Sequence, residues 1–348
     1  AVDEWVLREF EQATLGDPRR NARAALIVSA QAGLFGGSIP RACVTWPSIK
    51  GCYRMLSNDS VTPDGLLSGH ISATIDRASS RRVVLAIEDG TSLSFPAVAD
   101  IDGLGPISTS SGTKGLMVHT TLLVDRDNGE TLGVARQDVW TRPKEKASPK
   151  ESGDQRKKRP RESEVWARGA DHLVSRIGAA TEQPPRVISV FDREGDAYET
   201  LVRCRTAGAG FVIRAVHNRK LAMQVDGEDY SIDAANNGPI LGHLDIQVPR
   251  RDNRPPRQAR LTLRATKVTL LPPKNIGRKG EPIALTMVVV QEEGSDVPKK
   301  DRLCWVLLTD EPVETLEQAR GVVDTYRLRW RIEEFHMGLK TGYGCERI

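Results

Sequence analysis

No stretch of this 348-residue chain stays apolar over the roughly 18–20 positions that a membrane-spanning helix needs. The N-terminus also lacks the charged, apolar and small-residue succession of a secretory leader. Cysteine is scarce: Cys43, Cys52, Cys204, Cys304 and Cys345 are odd in number, scattered, and include no C-x-x-C pair. That excludes a disulfide framework or zinc knuckle by pattern and suits a reduced, cytoplasmic setting. The six histidines supply no H-E-x-x-H motif, and Gly103-Leu104-Gly105 lacks the strand and helix that frame a nucleotide loop. Excess charge is small as well. Fifty Lys and Arg against 46 Asp and Glu leave +4, which permits a nucleic-acid partner without demanding one.

What is present supports a packed α/β protein. Hydrophobic residues make up 39% and charged residues 28%, so a core can form, and the length allows two or three domains. Residues 3–58 read as helical, with turns at Leu15-Gly16-Asp17-Pro18 and Gly36-Gly37. Arg19, Arg20 and Arg23 recur there, and Lys50 and Arg54 flank Tyr53. Arg19 and Arg23 share one helix face, either as a solvated surface or as a grip on phosphate. From Arg82 the pattern changes to short apolar runs at 83–88, 117–124, 131–139 and 187–191, which read as strands. Asn128-Gly129 between two of them marks a tight antiparallel reversal. Helices are expected at 162–179 and 196–205. Between strand and helix, the basic segment 142–161 contains Gln155-Arg156-Lys157-Lys158-Arg159-Pro160-Arg161, a solvated loop or a DNA contact. Segments at 211–216, 244–248, 259–264, 267–271 and 284–291 make a β-rich region of about 217–300 with positive connections. A strand at 303–309 and one long helix over 312–341 follow.

Three acids stand at informative places. Asp89 follows the run Val83–Glu88, and Asp192 follows Val187–Phe191. Carboxylates at strand ends lie on the rim of a sheet and can converge, although a lone Asp there is also a common turn former or helix cap. Alternation along the strand turns Glu88 away from Asp89. On the long helix, Tyr326, Arg329, Glu333 and Lys340 project within a roughly 60° stripe. Such a stripe is a functional face or a salt-bridged, solvated one. Two strand aspartates and a helical glutamate could form a two-metal site, and hard oxygen donors favour magnesium or manganese over zinc.

These residues together resemble the insertion-sequence-four family of bacterial transposases, nearest its Tn-five type of cut-and-paste enzymes. The resemblance rests on Ile87-Glu88-Asp89 with Thr91-Ser92-Leu93-Ser94, on Asp192-Arg193-Glu194, and on the Y-x-x-R-x-x-x-E-x-x-x-x-x-x-K pattern of Tyr326, Arg329, Glu333 and Lys340. Leu15-Gly16-Asp17-Pro18-Arg19-Arg20, Glu311-Pro312-Val313-Glu314 and Trp330-Arg331-Ile332-Glu333-Glu334-Phe335-His336 extend it from about residue 5 to the end.

The resemblance implies a helical DNA-end-binding domain over 1–60 and an RNase H-like, integrase-like core with a mixed β-sheet over 61–348. Asp89, Asp192 and Glu333 would be its catalytic residues and metal ligands, holding two Mg2+ ions with Mn2+ as a substitute. The implied reaction is cleavage of double-stranded DNA at transposon ends through a hairpin, followed by strand transfer into target DNA. Tyr326, Arg329 and Lys340 would grip phosphates, and Arg214 would contact DNA. Trp305 would stack on a flipped base, although the residues alone favour a core aromatic in an apolar strand. Arg19, Arg20, Arg23, Tyr53 and Arg54 would serve end binding. His243 replaces a tyrosine that contacts DNA in the relatives. Those relatives continue into a helical segment that pairs two subunits into a homodimer, whereas this sequence stops at Ile348. Two other functions fit the same residues: a shortened family member that occupies transposon ends without cutting, and a plain metal-dependent nuclease.

Overall fold

A computed structural model describes residues 2–34, 36–95, 101–108, 113–143, 164–248, 250, 255–274, 280–294 and 297–346. Of the basic segment 142–161, all but Arg142 and Pro143 lies outside these residues. No described helix is long and apolar enough to cross a membrane.

The N-terminal segment folds into the expected helices: α1 (Glu4–Phe10), α2 (Pro18–Ala32), α3 (Ile39–Cys43) and α4 (Trp46–Leu56). Asp17 ends the turn before α2 by accepting a bond from the Arg19 backbone N–H at 2.9 Å, with Pro18 in the first helical position. Ala13, Leu15, Ala24 and Met55 form the small core of this module. A fifth helix, α5 (Pro63–Ser79), repeats the device, with Thr62 capping Gly65 at 3.0 Å. Its Arg77 and His70 join the module to the rest of the chain. Glu9 of α1 accepts from Arg77 Nη1 at 2.7 Å and lies 2.6 Å from His70 Nδ1. Arg77 Nε donates to the Leu132 carbonyl at 2.7 Å, and the Val134 N–H donates to His70 Nε2 at 3.0 Å.

The remaining chain builds a mixed sheet of twelve strands among the described residues. β1 (Val83–Ser94) lies antiparallel to β3 (Lys114–Asp125), which pairs with β2 (Gly105–Pro106) and β4 (Thr131–Trp140). The β3–β4 reversal passes through Gly129 at φ +72°, as the Asn-Gly pair requires. On its other side β1 runs parallel to β5 (Arg186–Phe191), and β5 runs parallel to β6 (Gly210–Arg214). The order then continues through β12 (Cys304–Thr309), β11 (Ile283–Glu292) and β10 (Arg257–Leu270) to β7 (Lys220–Val225) and β8 (Glu228–Tyr230), while β9 (Ile240–Val248) branches off by pairing with β10. The β-rich region around 217–300 is therefore no separate layer: its long strands extend the same sheet. The segments read as two strands at 259–264 and 267–271 are one, β10, because β11 pairs with it without interruption from Leu261 to Leu270.

Both faces of the sheet are covered, and β1 shows how. Its Leu85 and Ile87 point into one cluster with Ala319, Val322, Val323 and Ile332 of the C-terminal helices. Its Val84 and Ala86 point the opposite way, against Ile75 of α5 and Leu173 and Ile177 of α6 (Glu164–Ala180). Further along that second face, α7 (Tyr198–Thr206) and α8 (Ser231–Asn237) contribute Leu201, Ala234 and Ala235. Burying each Leu or Ile fully is worth about 1.5–3 kcal/mol relative to exposure.

The long helix expected over 312–341 is broken. α9 (Leu316–Arg327) and α10 (Trp330–Met337) meet at Leu328-Arg329, and a π-helical turn, Gly338–Gly342, follows. At the break the Arg329, Arg331 and Ile332 N–H groups bond three residues back, to Tyr326, Leu328 and Arg329. This local tightening lets one segment bury Tyr326 and the next bury Ile332 in the same cluster.

Candidate active site

Asp89 does not end its strand, as the apolar run suggested. It lies inside β1, paired with Thr120, because β3 is long enough to continue the ladder past it to Ser94. Pairing with β5 stops earlier, at Ile87 opposite Val190. Two residues further in that parallel register stand Asp89 and Asp192, so β1 presents Asp89 beside the end of β5. Asp192 directly follows β5 and accepts the Glu194 N–H at 2.7 Å, capping a short 3-10 turn. It is thus both a cap and a neighbour of Asp89. Glu88 faces the other way, as side-chain alternation demands.

The third acid arrives from the helix side. Glu333 lies in the first turn of α10, half-buried, and accepts a bond from Nη2 of Arg329, the residue at the helix break. Nη1 of the same guanidinium is 3.7 Å from Asp89 Oδ2. Tyr326 departs from the expected polar stripe. It is 6% exposed, belongs to the hydrophobic cluster, and lies 5.9 Å from the Arg329 guanidinium carbon. The turn at Leu328-Arg329 separates a buried tyrosine from a half-buried Arg–Glu pair.

Electrostatics tie the three acids together. Burial, then the negative charge of Asp192, raises the Asp89 carboxyl to about 6, and Glu333 adds to the rise. The Gly90 N–H, which donates to Asp89 at 2.8 Å, and the Arg329 charge oppose it. Like-charge strain of this kind is what a divalent cation relieves, and three carboxylates are the hard oxygen donors that magnesium or manganese prefers. By donor chemistry and charge the residues fit such an ion. Among the described residues, however, no three His, Cys, Asp or Glu side chains are grouped to hold one as they stand. What lies between Asp89 and Glu333 is Arg329.

The other residues singled out by sequence are dispersed. Arg214, at the end of β6, donates to the Cys304 carbonyl at 3.2 Å, and its charge reaches the buried Tyr326 phenol. Trp305 on β12 is half-buried and packs against the hydrophobic cluster, edge-on to Tyr326. Lys340 sits in the π-helical turn. After burial, its charge and that of His119 hold the His336 imidazole down to about 4. His243 is remote from the acids, on β9, and pairs with Glu293 at 2.7 Å. In the N-terminal module the Arg19 side chain is 92% exposed and pairs with Asp17. Tyr53 and Arg54 are exposed on α4. Arg20 instead donates to the Leu15 carbonyl at 2.8 Å, and Arg23 packs across Gly51, so both brace the module from within.

Sequence reasoning missed two clusters, one buried and one partly buried. Glu88, wholly buried, pairs with His119 Nε2 at 2.9 Å beneath Trp166, and burial drives its carboxyl pKa upward. Gly169 of α6 leaves room for it, since a Cβ there would come within 2.4 Å of Glu88 Oε1. The Glu9–His70–Arg77 joint was likewise unread. Neither cluster has a local spacing signal, since each joins elements distant in the chain.

One solved structure, a cryo-EM structure of a piggyBac transposase synaptic complex with hairpin DNA, aligns with 96% of this chain and 66% of that one. The chain thus spans just under two thirds of that relative's length, at 9% identity and a TM-score of 0.41, too slight a likeness to carry anything over. Residues 2–61, the helical module, match the family described as transposase DNA-binding.

Proposed function

We propose that this protein is a transposase of the insertion-sequence-four type, which binds transposon ends through residues 1–60 and cuts and joins DNA at Asp89, Asp192 and Glu333. One observation carries the catalytic half of this reading. Asp89 is held near 6 by burial and by two acids that come from a different strand and from a helix. A carboxylate perturbed by burial and by like charges from other elements is a candidate for a functional site. The sheet order supports an RNase H-like core: an antiparallel β4-β3-β1 meander continues into parallel β5 and β6.

In this reading Asp89, Asp192 and Glu333 hold two Mg2+ ions, with Mn2+ as a substitute. When bound, such a pair stabilises the attacking and leaving oxygens of an in-line phosphoryl displacement. Arg329 and Lys340 orient phosphates near the cut, arginine through its planar fork and lysine as a point charge. Arg214 lies beside the same face, and Arg19, Tyr53 and Arg54 meet the DNA outside it. Hairpin formation, strand transfer into target DNA, and pairing of two subunits on two ends complete the proposal.

A second reading is a metal-dependent nuclease without hairpin chemistry. The packing of Trp305 against Tyr326 favours it, because the indole already has an aromatic partner beside the hydrophobic cluster. The test uses labelled transposon-end DNA with Mg2+. Glu333→Gln should abolish nicking while leaving DNA binding within about threefold. Unchanged nicking would remove the catalytic assignment. Nicked products without hairpins from the unaltered protein would favour the nuclease.

A further inference from the structure

Arg329 bridges two of the three acids. Its Nη2 donates to Glu333 Oε1, and its Nη1 stands 3.7 Å from Asp89 Oδ2. Its side chain is only 14% exposed, so water and salt screen these contacts far less than a surface pair. The strand acid and the helix acid are thus already neutralised in part, by a cation the chain itself supplies. No grouping of three donors forms around it among the described residues.

We propose that Arg329 is a latch, an internal counter-ion that holds Glu333 in the metal-free protein and competes with the divalent ions for the carboxylate oxygens of Asp89 and Glu333. The inference rests on reading those acids as metal ligands. Entry of the ions and release of the guanidinium are then one event. The released fork is free to take the phosphate of a bound DNA end, so metal and DNA favour one another. By linkage, whatever factor the phosphate gains from the metal, the metal gains from the phosphate. An ordinary surface i,i+4 pair would have no such consequence. Here the same guanidinium touches an acid on another element, and the helix break at Leu328-Arg329 places its stem at the junction.

The test measures Mn2+ binding to the full chain without DNA, by the electron paramagnetic resonance signal of free Mn2+, for the unaltered protein, Arg329→Ala, Arg329→Lys and Asp89→Asn. Arg329→Ala should bind Mn2+ about tenfold or more tightly, with Arg329→Lys in between. Equal or weaker binding by Arg329→Ala, alongside binding that Asp89→Asn abolishes, overturns the latch and leaves the metal site standing. If Asp89→Asn binds as the unaltered protein does, or if nothing binds, the metal reading fails and the latch with it. Should Arg329→Ala not fold, the unaltered protein still decides. Its Arg329 Nε–Hε nuclear magnetic resonance signal, identified by its loss in Arg329→Lys, should shift on saturation with Mg2+. A signal that stays put while neighbouring resonances report binding overturns the proposal.

Discussion

Trp305 meets Tyr326 edge-on, with 5.5 Å between ring centroids and planes 63° apart. Edge-to-face pairs of this kind add about 0.5–1.5 kcal/mol to the burial of the rings themselves. Trp305→Ala should therefore cost stability, about 2–4 kcal/mol for a half-buried tryptophan. It should impair DNA nicking and any later step together. A melting curve recorded beside a product assay checks this. Loss of hairpin products alone, at an unchanged melting temperature, would restore the base-stacking role.

Asp89 gives a pH dependence whose sign is fixed. Its carboxyl stands at about 6 in the folded chain against 3.8 when unperturbed, so folding is favoured by the protonated form. That contribution is present in full below about 3.8 and is lost as pH rises through 6. Asp89→Asn, which never ionises, should raise stability at pH 7–8 by about 1–3 kcal/mol and change little near pH 4. Urea unfolding at the two pH values tests it; equal effects at both would deny the strained charge.

The same value predicts metal binding. Mn2+ must displace the proton of Asp89, so its affinity should fall by about tenfold per unit as pH drops below 6. A flat titration between pH 5 and 7 would show that Asp89 is not a ligand.

The arginines of the N-terminal module should separate. Arg19 is almost fully exposed, so Arg19→Ala should leave stability within about 0.5 kcal/mol. It should also reduce the slope of log affinity against log salt by about one for end DNA. Arg20→Ala removes a bond to the Leu15 carbonyl and should lower the melting temperature instead. Identical behaviour of the two variants would contradict this division.

Glu9 predicts how the module is attached. Burial pushes its carboxyl up, but hydrogen bonds and charges from His70 and Arg77 outweigh this and hold it at about 2. A depressed carboxylate stabilises above its unperturbed value of 4.5, and the effect is lost as pH falls through 2. Glu9→Gln should cost about 1–3 kcal/mol at neutral pH, since Arg77 loses a charged partner, and much less near pH 2. Chemical unfolding across that range measures it.

Much of this was legible in the sequence because the signals are local. Pro18 behind Asp17, the run Val83 to Ile87 and the Asn128-Gly129 reversal each encode their own geometry within a few residues. Pro63 after Thr62 is an equally clear start signal for α5. The placement of Asp89 was misread because strand length is decided by the partner: β3 prolongs β1 beyond the point where its apolar run ends. The broken C-terminal helix was hidden for the same reason, since helical periodicity at 326, 329 and 333 survives a tight turn while the burial of Tyr326 depends on β12. The Glu88–His119 hydrogen bond and the Glu9–Arg77 ion pair join residues whose neighbours carry no hint of one another.

The alignment of Asp89 with Asp192 is a property of register, and it makes the site vulnerable in a way that substitution scans would not reveal. Removing any one residue from within β5 would keep every acid in the chain and the strand's apolar character. It would also turn Asp192 to the sheet's opposite face, toward Glu88 and His119. Length variation should be tolerated in the connections of the sheet's far half and forbidden in the six residues of β5. The spacing of the acids along the chain is free to drift, but their phase within the two strands is not.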